Sequence, residues 1–151
     1  MAEEVNYMMI NACPIRPASM IVNEMVDKAA ILVIDDEPIV ADALMIVLSD
    51  SGYEVTVALT GRDGLDKLSE QRFDVTITDL RLPDMSGLEV LSIIREKEPC
   101  SLIILITAHT TPEIIAEAVR RGAVDVLSKP FFPSDVLELL EKSLTNRNLK
   151  N

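Results

Sequence analysis

Two kinds of hydrophobic spacing alternate along the chain. Ala29-Ala30-Ile31-Leu32-Val33-Ile34 and Leu102-Ile103-Ile104-Leu105-Ile106 are apolar at consecutive positions. A strand needs that pattern when both faces of its sheet are covered. Val75-Thr76-Ile77-Thr78 is β-branched throughout and favours extended backbone. Glu54 to Ala58 and Ala123 to Leu127 are two further short stretches that read as strands. Between these runs the apolar residues recur at three and four positions, the spacing of a helix face. The first such stretch carries Val40, Ala43, Leu44, Val47 and Leu48, and the second Leu65 and Leu68. The third carries Leu88, Leu91 and Ile94, the fourth Ile114, Ile115, Ala118 and Val119, and the last Val136, Leu137, Leu140 and Leu144.

Turn and cap residues mark the joints. Gly52 and Gly122 follow the first and fourth helical stretches, where a helix end favours glycine. Thr60 and Thr111 stand where N-caps are expected, the latter followed by Pro112 at the first helical position. Ser86 with Glu89 forms a capping-box pattern, and Ser134 is expected to open the last helix. Gly64 weakens the second helix, and the third ends before Pro99.

Five strands alternating with five helices predict right-handed crossovers and a parallel sheet. The fold class is therefore α/β, a doubly wound five-stranded parallel sheet in the order 2-1-3-4-5, as a single domain. Residues 1–28 lack a sustained period and contain Pro14 and Pro17, so they are expected to be an extension, partly flexible. The domain then covers 29–146, and 147–151 form a short tail.

Composition narrows the function. The 151 residues carry a net charge of −11, which argues against direct nucleic-acid binding because a phosphate backbone calls for a basic face. Aromatics make up only 3%, so the core rests on aliphatic residues. Cys13 and Cys100 form no close motif and suggest a reducing compartment. Neither a membrane span nor a secretory leader is apparent, and the cytoplasm is the expected location.

In the 2-1-3-4-5 order the ligand-binding edge lies at the carboxyl ends of the strands. The first and third strands end there in Asp35-Asp36 and Asp79, the fourth in Thr107, and the fifth in Ser128-Lys129-Pro130. Each residue alone has a plain structural role: Asp36 as a helix cap, Thr107 as a strand-end cap, Lys129 as a solvated charge. Together they form a cluster of carboxylates that calls for a hard cation such as Mg²⁺, opposite a lysine and a hydroxyl suited to phosphoryl oxygens. Carboxylate nucleophile, Mg²⁺ and lysine describe phosphoryl transfer to an aspartate.

On these residues, and on Pro83 and Gly87 in the loop after Asp79, Ala108 beside Thr107 and Pro130-Phe131 after Lys129, the sequence resembles the receiver domains of two-component response regulators. The resemblance implies a flavodoxin-like fold in which Asp79 is the phospho-acceptor. It implies that Asp36, Asp79 and the Arg81 carbonyl hold Mg²⁺, with Asp35 acting through water. Thr107 and Lys129 bind the phosphoryl oxygens, and Lys129-Pro130 is a cis bond. The phosphodonor it implies is a sensor histidine kinase or a histidine phosphotransfer protein. It also implies slow self-phosphorylation from small donors and self-dephosphorylation, a switch rather than an enzyme. The switched face it implies comprises the fourth helix, fifth strand and fifth helix, with a phosphorylation-dependent homodimer as one expected outcome.

One departure from the family pattern stands out. Val126 occupies the position three before the lysine that is usually Tyr or Phe, which leaves the output surface open. His109 and Arg81 border the acceptor and either tune the phosphate's lifetime or are plain surface residues. Glu138 and Glu141, with only Lys142 as counter-charge, resemble receivers that stand alone or precede an ATPase-type transcription activator. A haloacid-dehalogenase-type phosphatase needs an acidic residue two after its nucleophile, where Arg81 stands. A flavin-binding module would meet repulsion from Asp35-Asp36-Glu37. A phosphorylation-independent binding module is the remaining alternative.

Overall fold

A computed structural model describes residues 29–150, with side chains through 146; the expected extension over 1–28 lies outside the described residues. Five strands, β1 (Ala30–Ile34), β2 (Glu54–Ala58), β3 (Val75–Asp79), β4 (Leu102–Thr107) and β5 (Asp125–Ser128), alternate with five helices. The helices are α1 (Pro38–Asp50), α2 (Gly61–Glu70), α3 (Gly87–Lys97), α4 (Pro112–Arg120) and α5 (Pro133–Lys150). All strand pairs are parallel and the sheet order is β2-β1-β3-β4-β5, as the alternation predicts.

Side-chain alternation divides the core into two layers. Ile31, Val33, Val75, Ile77, Ile104 and Ile106 pack with Leu44 and Leu48 of α1 and Val136 and Leu140 of α5. Leu32, Ile34, Ile103 and Leu105 face the other way, against Leu91 and Ile94 of α3 and Ala118 of α4. The two central apolar strands are thus buried on both faces, which is why they show no alternation in the sequence. Each fully buried Ile or Leu contributes about 1.5–3 kcal/mol of transfer free energy.

The joints follow the expected cap chemistry, with three differences. Gly52, at φ +96, closes α1: its N–H donates to the Ser49 carbonyl and the Tyr53 N–H to the Leu48 carbonyl. At α3 the Ser86 hydroxyl accepts from the Leu88 amide, so the cap forms on the second helical residue rather than the third. β5 begins at Asp125, two residues later than the apolar run suggests, because the Ala123 N–H closes α4 on the Ala118 carbonyl. α5 opens one residue earlier than expected, at Pro133. There the Asp135 carboxylate reaches back to the Phe132 amide, so Ser134 lies inside the first turn and does not cap it.

Two contacts shape the loop after β3. A Cβ on Gly87 would stand 2.1 Å from the Asp79 carbonyl oxygen, so only glycine lets α3 start this close to the end of β3. Asp84 accepts from the amides of Gly61 and Arg62 at 2.9 and 2.8 Å, and Thr60 accepts from that of Asp63. The first turn of α2 is therefore capped partly from its own sequence and partly from a loop more than twenty residues away.

Candidate functional site

Strand parity brings the charged rim together. Asp35 follows Ile31 and Val33, Asp79 follows Val75 and Ile77, and Lys129 follows Leu127, all on the α1/α5 side of the sheet. Alternation therefore sends all three side chains to one side of the strand ends. Thr107 has the opposite parity, shared with Ile103 and Leu105.

Lys129 is the hub. Its ammonium lies 2.7 Å from Asp79 Oδ2, 2.7 Å from Glu37 Oε1 and 3.1 Å from Asp35 Oδ2. Its peptide bond to Pro130 is cis, as the resemblance implies. Burial is the largest single influence on the lysine and pushes its pKa down. Hydrogen bonds to Asp79 and Glu37, with the Asp35 contact, together outweigh it and hold the group above its usual range. The ammonium therefore stays charged wherever the protein is folded near neutrality.

Asp35 is fully buried. Burial is the main cause that raises its pKa, against the Glu37 amide and Lys129, which lower it; Asp79 adds to the rise. The Glu37 amide donates to Asp35 Oδ1 at 2.9 Å, whereas Oδ2 makes no hydrogen bond despite its closeness to Lys129. Asp36 is exposed, and Asp79 is buried with Oδ1 accepting from the Arg81 amide at 3.2 Å. Oxygens of Asp35, Asp36 and Asp79 lie within 4.8 Å of one another. An all-oxygen donor set with one buried, unbonded carboxylate oxygen fits a hard divalent cation such as Mg²⁺.

Thr107 lies at the rim but points its chemistry elsewhere. It is buried, and its hydroxyl accepts from the His109 amide at 3.0 Å, forming a turn at the end of β4. Its carbonyl accepts from the Lys129 amide, which links the two strand ends. Val126 shares its face and packs, half-buried, against the α3/α4 layer. The side chains of His109 and Arg81 are exposed. Glu37 was not foreseen as a site residue. The only signal was a third acid after Asp35-Asp36, and its position reads as a helix cap.

The comparisons agree with this arrangement. The family model for the response regulator receiver domain matches residues 31–141. The chain belongs to that family. The receiver is 34% identical over 120 residues to the transcriptional regulatory protein ZraR of Escherichia coli strain K12, covering 80% of this chain and 27% of ZraR. It spans about a quarter of that relative's length. It is also 33% identical over 113 residues to the chemotaxis protein CheY of Thermotoga maritima, covering 74% of this chain and 94% of CheY. Among solved structures, a CheY-like receiver domain from Methanospirillum hungatei JF-1 superposes with a TM-score of 0.78 at 30% identity, over 82% of this chain and 98% of that one. Receivers are the signal-transduction modules of two-component systems, and this chain has their five-stranded parallel architecture. Among the described residues no helix is long and apolar enough to cross a membrane.

Proposed function

We propose that residues 29–146 form a phospho-acceptor switch in which Asp79 takes a phosphoryl group from a phosphohistidine. The observation that carries this reading is the Lys129 ammonium seated on the Asp79 carboxylate inside a rim of acids. An Asp79 oxygen attacks phosphorus as the phosphorus–nitrogen bond breaks, and the imidazole leaves with the bonding electrons. The product is an acyl phosphate on Asp79. Lys129 already faces the acceptor, so it meets the incoming phosphoryl oxygens with little reorganisation. Thr107, whose hydroxyl oxygen accepts from the His109 amide, turns to donate its O–H to them. That movement shifts the loop before α4 and couples the chemistry to the α4, β5 and α5 face. Asp36, Asp79 and the Arg81 carbonyl, with Asp35 through water, would hold Mg²⁺, which would supply positive charge for a phosphoryl dianion among three carboxylates.

The phosphodonor is a sensor histidine kinase or a histidine phosphotransfer protein. An apolar groove beside Lys129, lined by Ile39, Val40, Ala43, Pro130 and Phe131, supports docking of such a partner at the site. Small donors phosphorylate it slowly, and it dephosphorylates itself, so the chain is a switch and not a turnover enzyme. A second copy is one partner for the switched face. The net charge of −11 supports an output without direct nucleic-acid contact by this chain. Its place is the cytoplasm, either alone or as the first part of a longer transcription activator.

The test is intact mass after incubation with acetyl phosphate and Mg²⁺. One phosphoryl group, labile to base and hydroxylamine, is expected on the wild type and none on Asp79→Asn. Equal labelling of that variant would place the acceptor elsewhere, and binding of partners without any labelling would favour a phosphorylation-independent module.

A further inference from the structure

Glu37 stands at the N-cap of α1, yet its side chain makes no capping hydrogen bond. It reaches instead to Lys129, 92 residues away, at 2.7 Å, a distance equal to that from Lys129 to Asp79. The Glu37 side chain is 59% exposed and the Lys129 side chain 13%, so the glutamate closes on the lysine from the solvent side. It lines the mouth of the groove beside the acceptor. An ammonium has three N–H donors, and three carboxylates surround this one. A phosphoryl group arriving at Asp79 therefore meets a lysine with two donors already engaged, by Asp79 and Glu37, and an added negative charge in front of it.

We propose that Glu37 is a positioning residue that competes with the phosphoryl group for Lys129 and so restrains phosphorylation of Asp79. The inference rests on the phospho-acceptor reading above. Glu37 occupies one donor of the ammonium in the resting protein and repels the anionic donor during approach. Its removal frees one lysine donor and one unit of charge at the entrance, without touching Asp79 or the three-carboxylate cluster. In the reaction with acetyl phosphate an Asp79 oxygen forms the new bond to phosphorus. The bond from phosphorus to the bridging oxygen breaks, and acetate leaves with the electron pair.

The full chain, with Mg²⁺ and acetyl phosphate, is followed by intact mass as wild type, Glu37→Gln, Glu37→Asp and Asp79→Asn. Glu37→Gln is expected to raise the second-order rate about fivefold, the effect of a unit charge about 4 Å away in water. The gain is expected to shrink as salt rises from about 0.01 M, where screening reaches about 30 Å, toward 1 M, where it reaches about 3 Å. A merely structural cap residue would show no such salt dependence. Glu37→Asp keeps the charge on a shorter stem and is expected to fall between the two. Thermal melts confirm that the exposed substitution leaves the fold intact. Wild type that labels as fast as Glu37→Gln, or a gain indifferent to salt, overturns the role of Glu37 alone. Absence of labelling in both overturns the phospho-acceptor reading and this inference with it.

Discussion

Lys129 Nζ and Asp79 Oδ2 meet at 2.7 Å across fifty residues of chain, at the ends of strands that are not neighbours in the sheet. The pair is nearly enclosed, at 13% and 8% side-chain exposure. Lys129→Ala leaves Asp35 and Asp79 facing each other without a counter-charge. Stability at neutral pH is expected to fall by about 2 kcal/mol, below the ~3–5 kcal/mol of a fully buried pair because the lysine retains some solvent. Urea unfolding measures it, and an unchanged midpoint would mean that the carboxylates are relieved another way.

Metal loading is expected to stabilise the receiver by about 2.7 kcal/mol at Mg²⁺ about a hundredfold above its Kd. Asp36→Ala is expected to lose most of that gain. Asp35→Asn keeps an oxygen for the Glu37 amide and is expected to lose less. It also removes a buried charge from a crowded cluster, so its Tm without metal is expected to exceed that of the wild type. Melts with Mg²⁺ and with a chelator separate the two effects.

Asp84 gives the fold a distinct acid sensitivity. Its hydrogen bond from the Arg62 amide is the main cause that holds its carboxyl below the usual range, helped by the Gly61 amide. A depressed folded-state pKa contributes stability that is complete above the unfolded value of about 3.9 and is lost as pH falls through the folded value. Asp84→Ala is therefore expected to melt below the wild type at neutral pH. The two curves should converge in strong acid. A difference that persists there would assign the effect to packing of the loop.

Two arginines are expected to limit how far the proposed switch travels along α4. Arg95 of α3 donates to the Gly122 carbonyl at 2.7 Å, and Arg121 donates to the Leu88 carbonyl at 3.1 Å. The C-terminal end of α4 is thus tied to α3 from both sides, while its N-terminal loop hangs on the Thr107 turn. Addition of beryllofluoride with Mg²⁺ is expected to shift amide resonances strongly from Ala108 to Ile115 and weakly from Val119 to Gly122. Arg121→Ala is expected to spread the shifts along the whole helix. Shifts confined to the surroundings of Asp79 would mean that the signal does not pass through α4.

The sequence by itself determined the elements and which charged residues meet at the strand ends. The two consecutive apolar runs fit strands covered on both faces, and once five strands alternate with five helices the parallel order follows. Asp35, Asp36, Asp79 and Lys129 were legible because strand ends in such a sheet share one edge, so residues far apart in the chain were predictably neighbours. Helix starts were less legible at α5, where Asp135 could cap backward as readily as Ser134 forward. The tertiary structure alone decided which way each rim residue turns. Parity sends Asp79 and Lys129 to the α1/α5 side and Thr107 to the α4 side with Val126, and a local pattern does not reveal that division at strand ends. The same holds for Glu37 and Asp84. Each sits where sequence chemistry expects a local cap or turn, and each spends its carboxylate on a partner more than twenty residues away. Local spacing reports helix and strand periods, whereas such pairings depend on where loops land after the core has packed.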